Sequence, residues 1–433
     1  MSSKTTPSPR PNILFYAPIL EYPPAGGPQI SVINAIKVLN AISELHIVTT
    51  VPKWQFSGEA GEFLKARCKA LVHAPSALLT SRHNLIDRAL RKARREGGAL
   101  VAPFDVSFLE RYADQHAIDI FWIDRVLEHA FPVFSLLRKR RPDAVIVGDT
   151  EAVHSRFTLR EAPHVTDRAK RRRIEEKGAR IEAQERKLVQ KADAVTAVSE
   201  VDVEYFQSLP GDPSRVHLFS NVVDVDDYLA PVPATPDVVE NAFLLLGSYG
   251  RQGSPMDMAA RWMGEDVMPL VWKKRPDAHL HIIGRNADLT QSDQRSDRIS
   301  VTGKVPSMLP YLQHCAATLV PLRYESGTRF KIVESGAAAV PSISTVLGAE
   351  GLEVEDGKSI LIADEAQDFA DAMVRVLEDP ELAKSLGQNL HALIVERYSI
   401  ATQTRQGQAI IDKIWPEGHK PPPAQTNTNE TGL

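Results

Sequence analysis

Three observations predict an α/β protein of two Rossmann-like domains. The chain has 433 residues, and one hydrophobic core rarely grows past ~250–300 residues. Short apolar segments alternate with helical stretches in two successive series, the pattern of parallel sheets covered by helices on both faces. Between the series, Asp224–Asn241 (DVDDYLAPVPATPDVVEN) is rich in Asp and Pro and reads as a linker.

In the first series, Pro11–Pro18 (PNILFYAP) reads as a strand. A Pro/Gly loop at Tyr22–Pro28 and a helical pattern from Gln29 to about Ile42 follow. His46–Val51, Ile118–Asp124, Ala144–Gly148, Ala194–Val198 and Val216–Phe219 read as further strands, with a long charged helical stretch before Ala194. In the second series the strands are Ala242–Leu246, Ala278–Ile283, Ile299–Thr302, Ala317–Pro321, Pro341–Thr345 and Ser359–Ile362, with a helix over about Met256–Lys274. Between about Asp368 and Arg397 the apolar spacing is helical, broken at Asp379-Pro380. The expected division is a disordered leader (1–10), an N-terminal domain (11–225), a linker (226–241) and a C-terminal domain (242–397). A helix returning to the first domain (398–415) and a disordered tail (416–433) complete the chain.

Composition excludes several classes. With 43% hydrophobic and 24% charged residues the chain is that of a globular protein, and no apolar run approaches the ~18 residues of a membrane span. The polar start MSSKTTPSPRPN lacks the apolar core of a secretory signal, so a cytoplasmic location is expected. Cys68 and Cys315 stand far apart without metal-ligand spacing and read as structural thiols in a reducing compartment. The net charge of −4 is uneven: residues 1–230 hold 32 Lys+Arg against 29 Asp+Glu, the remainder 19 against 26. The basic excess gathers at Arg88–Arg95, Arg138–Arg141 and Arg168–Arg173. These runs read as solvated helix faces, with peripheral contact to anionic lipid as the alternative. Without interleaved aromatics they do not suggest a single-strand nucleic-acid groove.

The segment Gly327–Leu352 (GTRFKIVESGAAAVPSISTVLGAEGL) carries the most chemistry. A helix beginning near Thr328 would place the amides of Gly327, Thr328 and Arg329 at its N-terminus, a phosphate-binding position. Lys331 would stand beside them, and Glu334, one turn deeper, could accept hydrogen bonds from a diol such as a ribose. The alternative is an ordinary i,i+3 surface pair of Lys331 and Glu334. Small residues from Ser335 to Ala339 let the helix pack closely on a sheet, with the next strand at Pro341–Thr345. Elsewhere, Gly26-Gly27 follows the first strand, where backbone can approach a diphosphate, although the full G-x-G-x-x-G fingerprint is missing. Arg251, leaving the first strand of the second domain, could pair with phosphate. Asp149 and His154 lie near a strand's carboxyl end, where clefts of open α/β sheets form.

At Gly327–Leu352 the sequence resembles the C-terminal domain of the group 1 (family 4) glycosyltransferases. In the N-terminal half the resemblance rests on Pro23–Gly27 (PPAGG), Ala144–Phe157 (AVIVGDTEAVHSRF) and Lys191–Glu200 (KADAVTAVSE). It implies the GT-B arrangement of two Rossmann-like domains facing a central cleft, the N-terminal one on the acceptor side. It also implies the glutamate at 334 for the ribose, the basic residues before it for the diphosphate, and the turn at Gly303 beside the base. The family carries two glutamates with seven residues between them, the first given to the sugar ring; here Glu325 and Glu334 have eight, and Ser326 stands in the first position, so the resemblance gives Glu325 the sugar contact through a small local bulge. Relatives place a histidine after the preceding strand, where this chain has Trp122-Ile123-Asp124-Arg125.

The resemblance implies a retaining glycosyltransferase that moves a sugar from a nucleoside diphosphate sugar to a sugar, lipid-linked or small-molecule acceptor. Neither a cofactor nor a metal is expected, since no aspartate-x-aspartate motif is positioned to hold one at the diphosphate. The alternatives are a nucleotide-sugar epimerase or hydrolase on the same scaffold, or a catalytically silent donor-binding partner subunit.

Overall fold

The structure, a computed structural model, describes residues 10–24, 26–52, 56–74 and 106–416. The leader up to residue 9, the tail from 417 and the basic run Arg88–Arg95 lie outside these residues. Two parallel sheets form. The first has the order β3-β2-β1-β4-β5-β6-β7, with β1 Asn12–Ala17, β2 Glu44–Thr49, β3 Ala70–His73, β4 Ile120–Ile123, β5 Val145–Asp149, β6 Ala194–Ala197 and β7 Val216–Leu218. The second has the order β10-β9-β8-β11-β12-β13, with β8 Ala242–Leu246, β9 His279–Ile283, β10 Ile299–Thr302, β11 Ala317–Val320, β12 Ser342–Ser344 and β13 Leu361–Ile362.

Strand order reverses beside β1 in the first sheet and beside β8 in the second. Chains leaving neighbouring strands at such a point cross to opposite faces and open a crevice at the strands' carboxyl ends. Both crevices face each other here, so loops after β1, β4 and β5 meet loops after β8, β9 and β11. Almost uninterrupted apolar strands explain the layering: Ile13–Ala17 and Phe243–Leu245 are fully buried, as strands covered on both faces require.

β3 was not anticipated. It is a four-residue edge strand, partly buried throughout, and too short to show an alternation. The expected helix over Met256–Lys274 is one run with a π-helical turn at Met263–Val267 between Pro255–Trp262 and Met268–Lys274. Asp379 ends one helix (Ala366–Glu378), and its side chain accepts from Leu382 N to start the next (Pro380–Arg397).

The last helix, Ile400–Ile414, leaves the second domain and packs on helix Gly27–Ile42. Ile410 and Ile411 sit in the first domain's core with Val38, Leu39 and Phe219. Gln403 donates to Ser220 O at 2.8 Å, and Val223 N donates to Tyr398 O at 3.1 Å, tying the crossover. Within the basic runs, Arg138 pairs with Asp193, Arg140 with Glu110 at 3.0 Å, Arg141 with Asp114 at 2.8 Å and Arg172 with Glu176 at 3.0 Å. These cations serve the fold. Both cysteines are free and partly buried, and burial raises the Cys68 thiol to about 11 and the Cys315 thiol to about 12.

Candidate functional site

Between the sheets lies a cavity of about 1200 Å³. Its second-domain wall is made by the loops after β8, β9, β10 and β11, and its first-domain wall by the loops after β1, β4 and β5. Gly284, ending β9, has φ +139°, and a β-carbon on it would lie 1.8 Å from Gly247 O. Only glycine lets the two loops touch and form a floor of backbone.

The signature helix runs Phe330–Ala337 with Arg329 at its N-cap, two residues later than the sequence suggests. Tertiary contacts delay it. Gly327 takes φ +84° and packs against Glu151 O, while the Thr328 hydroxyl donates to Val198 O at 3.2 Å across the domain boundary. The amides of Phe330 and Lys331, rather than those of Gly327 and Thr328, therefore head the first turn, where helix geometry leaves N–H groups free.

Arg329, Lys331, Glu334 and Glu325 all line the cavity. Arg329 is 4% exposed and its guanidinium donates from Nη1 to Gly327 O, yet its Nε and Nη2 have no hydrogen-bond partner. The Lys331 carbonyl accepts from the Ser335 hydroxyl at 2.8 Å, but its ammonium has no hydrogen bond or ion pair among the described residues, and no salt bridge joins it to Glu334. Burial lowers the proton affinity of both cations, with Glu325 opposing it. Two desolvated positive groups with free N–H bonds form a ready site for an anion. Glu334 accepts a hydrogen bond from Tyr228 at 3.0 Å, and burial raises its carboxyl to about 7 against the opposing pull of Tyr228 and Lys331. Tyr228 belongs to the expected linker, where nothing in the sequence marks it. Despite the altered spacing, the bend at Gly327 leaves Glu325 on the same cavity wall as Glu334.

From the first domain, Gly26 and Gly27 line the cavity. A β-carbon on Gly27 would come within 2.8 Å of the Phe330 ring, so the glycine pair and the signature helix meet across the cleft. His154, the first residue of helix His154–Glu161, also lines it, 2.5 Å from Glu151 Oε1 through Nε2. Burial works against the charged imidazole, but Glu151 outweighs it and holds the pKa above the ordinary value.

Three of the expected residues stand outside the cavity lining. Asp149 does not line the cavity: strand alternation turns its carboxylate inward, where it accepts from Trp122 Nε1 at 2.8 Å and from the Thr196 hydroxyl. Burial raises it to about 6. Arg251 also lies outside the cavity lining and pairs at 2.5 Å with Glu161 of the first domain. Gly303 packs against Asp288, where a β-carbon would lie 2.7 Å from Oδ1, and it is the following residues, Lys304 to Leu309, that reach the cavity. Since the Arg251 side chain is 58% exposed, Arg251→Ala is expected to change the Kd for a nucleoside diphosphate by less than about threefold, the scale of an exposed pair; titration calorimetry checks this.

The sequence also conceals a charged cluster at the ends of β4 and β5. Arg125, with φ +50°, precedes a π-helical turn at Val126–Ala130. Its guanidinium pairs with Glu128 and, at 3.2 Å, with Glu151. Burial works against that charge, but Glu151 and Glu128 outweigh it and hold Arg125 firmly protonated. Glu128, Glu151 and His154 offer ligand atoms within 4.8 Å of one another. The Arg125 cation already occupies their field, which fits an ion-pair cluster better than a divalent metal.

Comparison with known proteins agrees with this architecture. Residues 244–379 match the family described as glycosyl transferases group 1. The fold is similar to that of sucrose-phosphate synthase from Thermosynechococcus elongatus, with TM-score 0.66 and 16% identity over 94% of this chain and 99% of that one. It is similar to HepE of Anabaena, solved with UDP and glucose, with TM-score 0.61 and 13% identity over 92% and 99%. A variant of S. aureus TarM, solved with fondaparinux, α-GlcNAc-glycerol and UDP, gives TM-score 0.64 and 14% identity over 93% and 100%. No curated protein sequence matches. Two parallel sheets facing one cleft, with the signature helix on the wall of the second, make this a GT-B fold, and residues 244–379 of its second domain match the group 1 glycosyl transferase family.

Proposed function

We propose that the cavity binds a nucleoside diphosphate sugar and transfers its sugar, with retention, to a hydroxyl acceptor entering along the first-domain wall. The observation that carries this reading is the convergence of Arg329, Lys331 and Glu334 on one interdomain cavity, with the buried Nε and Nη2 of Arg329 unpartnered. Departure of the sugar leaves growing negative charge on a diphosphate. Two fixed cations and the free amides of Phe330 and Lys331 stabilise that charge without reorganisation. No metal is needed for this electrostatic term. Glu334, one turn on, accepts from the ribose hydroxyls, and Lys304 to Leu309 stand where the base would lie. The uridine diphosphate in HepE and TarM supports a uridine diphosphate sugar as the first donor to try.

On the acceptor side Tyr22 and Phe63 stack at 3.8 Å, and Arg67 lies 3.8 Å over the Phe63 ring. This aromatic shelf suits a sugar ring or another flat apolar face. For a lipid-linked acceptor the relevant cations are Arg168, Lys170 and Arg173, exposed on the long helix Arg168–Lys191 with side chains that have no partner among the described residues. No described helix is long and apolar enough to cross a membrane.

Incubation with a panel of nucleoside diphosphate sugars, with and without saccharide and lipid-linked acceptors, tests the reading. The expected result is nucleoside diphosphate release that depends on an acceptor. Free sugar or an epimer formed equally well without acceptor would point to the hydrolase or epimerase instead.

A further inference from the structure

Helix His154–Glu161 belongs to the first domain, but its residues reach both the cavity and the second domain. His154 opens it at the cavity, Phe157 approaches Tyr324 with ring centroids 6.5 Å apart, and Arg160 and Glu161 close it against second-domain loops. Arg160 makes the most specific of these contacts. Its Nη1 donates to Glu350 Oε2 and to the Glu325 carbonyl, each at 2.6 Å, and its Nη2 donates to Glu350 Oε1 at 2.7 Å. Such a planar fork satisfies a carboxylate and a carbonyl together, which an ammonium cannot do in the same geometry.

The carbonyl that Arg160 holds is in the loop between β11 and the signature helix. Glu325 lines the cavity from this loop, two residues before the left-handed bend at Gly327. The first domain grips this loop at three points: Gly327 packs against Glu151 O, the Thr328 hydroxyl donates to Val198 O, and Arg160 donates to the carbonyl of Glu325 itself. Among the described residues, Arg160 is the charged side chain of the first domain that bonds its backbone. Parting of the domains removes that donor.

We propose that Arg160 is a positioning residue that couples closure of the two domains to the placement of Glu325 at the sugar end of the donor site. The inference rests on the glycosyl-transfer reading and deepens it. Arg160 touches no donor atom in this account; it acts through the loop. The ion pair with Glu350 brings the domains together, and the bond to the Glu325 carbonyl converts that closure into one loop geometry.

Three variants separate this role from a simple clasp. Arg160→Gln is expected to lower kcat by about tenfold, the scale of coupling carried by one contact network. Its Kd for uridine, guanosine and adenosine diphosphates, tested in turn by calorimetry, should stay within about twofold of wild type, because the diphosphate site itself is intact. Arg160→Lys keeps the charge and the aliphatic stem, should melt close to wild type and should still turn over slowly. The swap Arg160→Glu with Glu350→Arg rebuilds an ion pair, but a carboxylate cannot donate to the Glu325 carbonyl, so turnover should stay low. Wild-type kcat in Arg160→Lys, or turnover recovered by the swap, would overturn the proposal by assigning the effect to charge pairing alone. A wild-type protein that binds none of the three diphosphates and releases none from their sugars would overturn the glycosyl-transfer reading, and this role with it.

Discussion

Replacing Lys331 with alanine is expected to lower turnover by ~10²–10³, the usual effect of removing one preorganised charge from a developing anion, while leaving the melting temperature at or above that of wild type. Stability should not fall because the ammonium has no ion pair among the described residues and burial already disfavours its charge. A surface i,i+3 pair with Glu334 would give the opposite pattern, with near-normal rates and at most ~0.5 kcal/mol of stability lost. Steady-state kinetics beside a melting curve distinguish the two, and a mutant within about threefold of the wild-type rate contradicts the phosphate role.

Glu334→Gln is expected to weaken donor binding by roughly tenfold to a hundredfold, since a hydrogen bond to a charged acceptor is worth about 1.5–3 kcal/mol. The pH dependence gives a second signature. The folded-state carboxyl is raised to about 7 by burial, so it ionises as pH rises through that value, and the carboxylate is the stronger acceptor for a diol. Donor affinity should therefore increase between about pH 6 and 8 in wild type and show no such step in Glu334→Gln. Stability runs the other way. Because the unfolded carboxyl ionises near its ordinary value of ~4.3, the unfolded state binds fewer protons between that pH and about 7. Stability then falls as pH rises across this window and levels off above it. The glutamine variant should lose that slope and melt higher than wild type above pH 7. A donor affinity independent of pH in wild type would count against Glu334 as the ribose acceptor.

What could be read from residues alone follows from how local each feature is. The signature helix was legible because its small residues, its apolar spacing and the strand after it are contiguous in sequence. Its start was misplaced by two residues, for Gly327 and Thr328 are fastened to Glu151 and Val198 of the other domain. Asp149 looked like a cleft residue from its place at a strand end, but strand alternation and the Trp122 and Thr196 donors turn it inward. Arg251 leaves the expected strand, yet Glu161, ninety residues earlier, draws it out of the cavity. No pattern announces Arg125 or Tyr228, whose roles depend on a left-handed residue before a π-helical turn and on a linker folded over the second domain.

The central claim is that the cavity around Arg329, Lys331 and Glu334 is a nucleoside diphosphate sugar site. A thermal-shift titration of the intact chain with uridine, guanosine and adenosine diphosphates and their sugars tests it most directly. One base series should stabilise the protein by about 2.7 kcal/mol at 100 times its Kd, with the effect strongly reduced in Lys331→Ala and Glu334→Gln. Absence of a shift with every diphosphate and sugar, or an equal shift in wild type and both variants, would contradict the account.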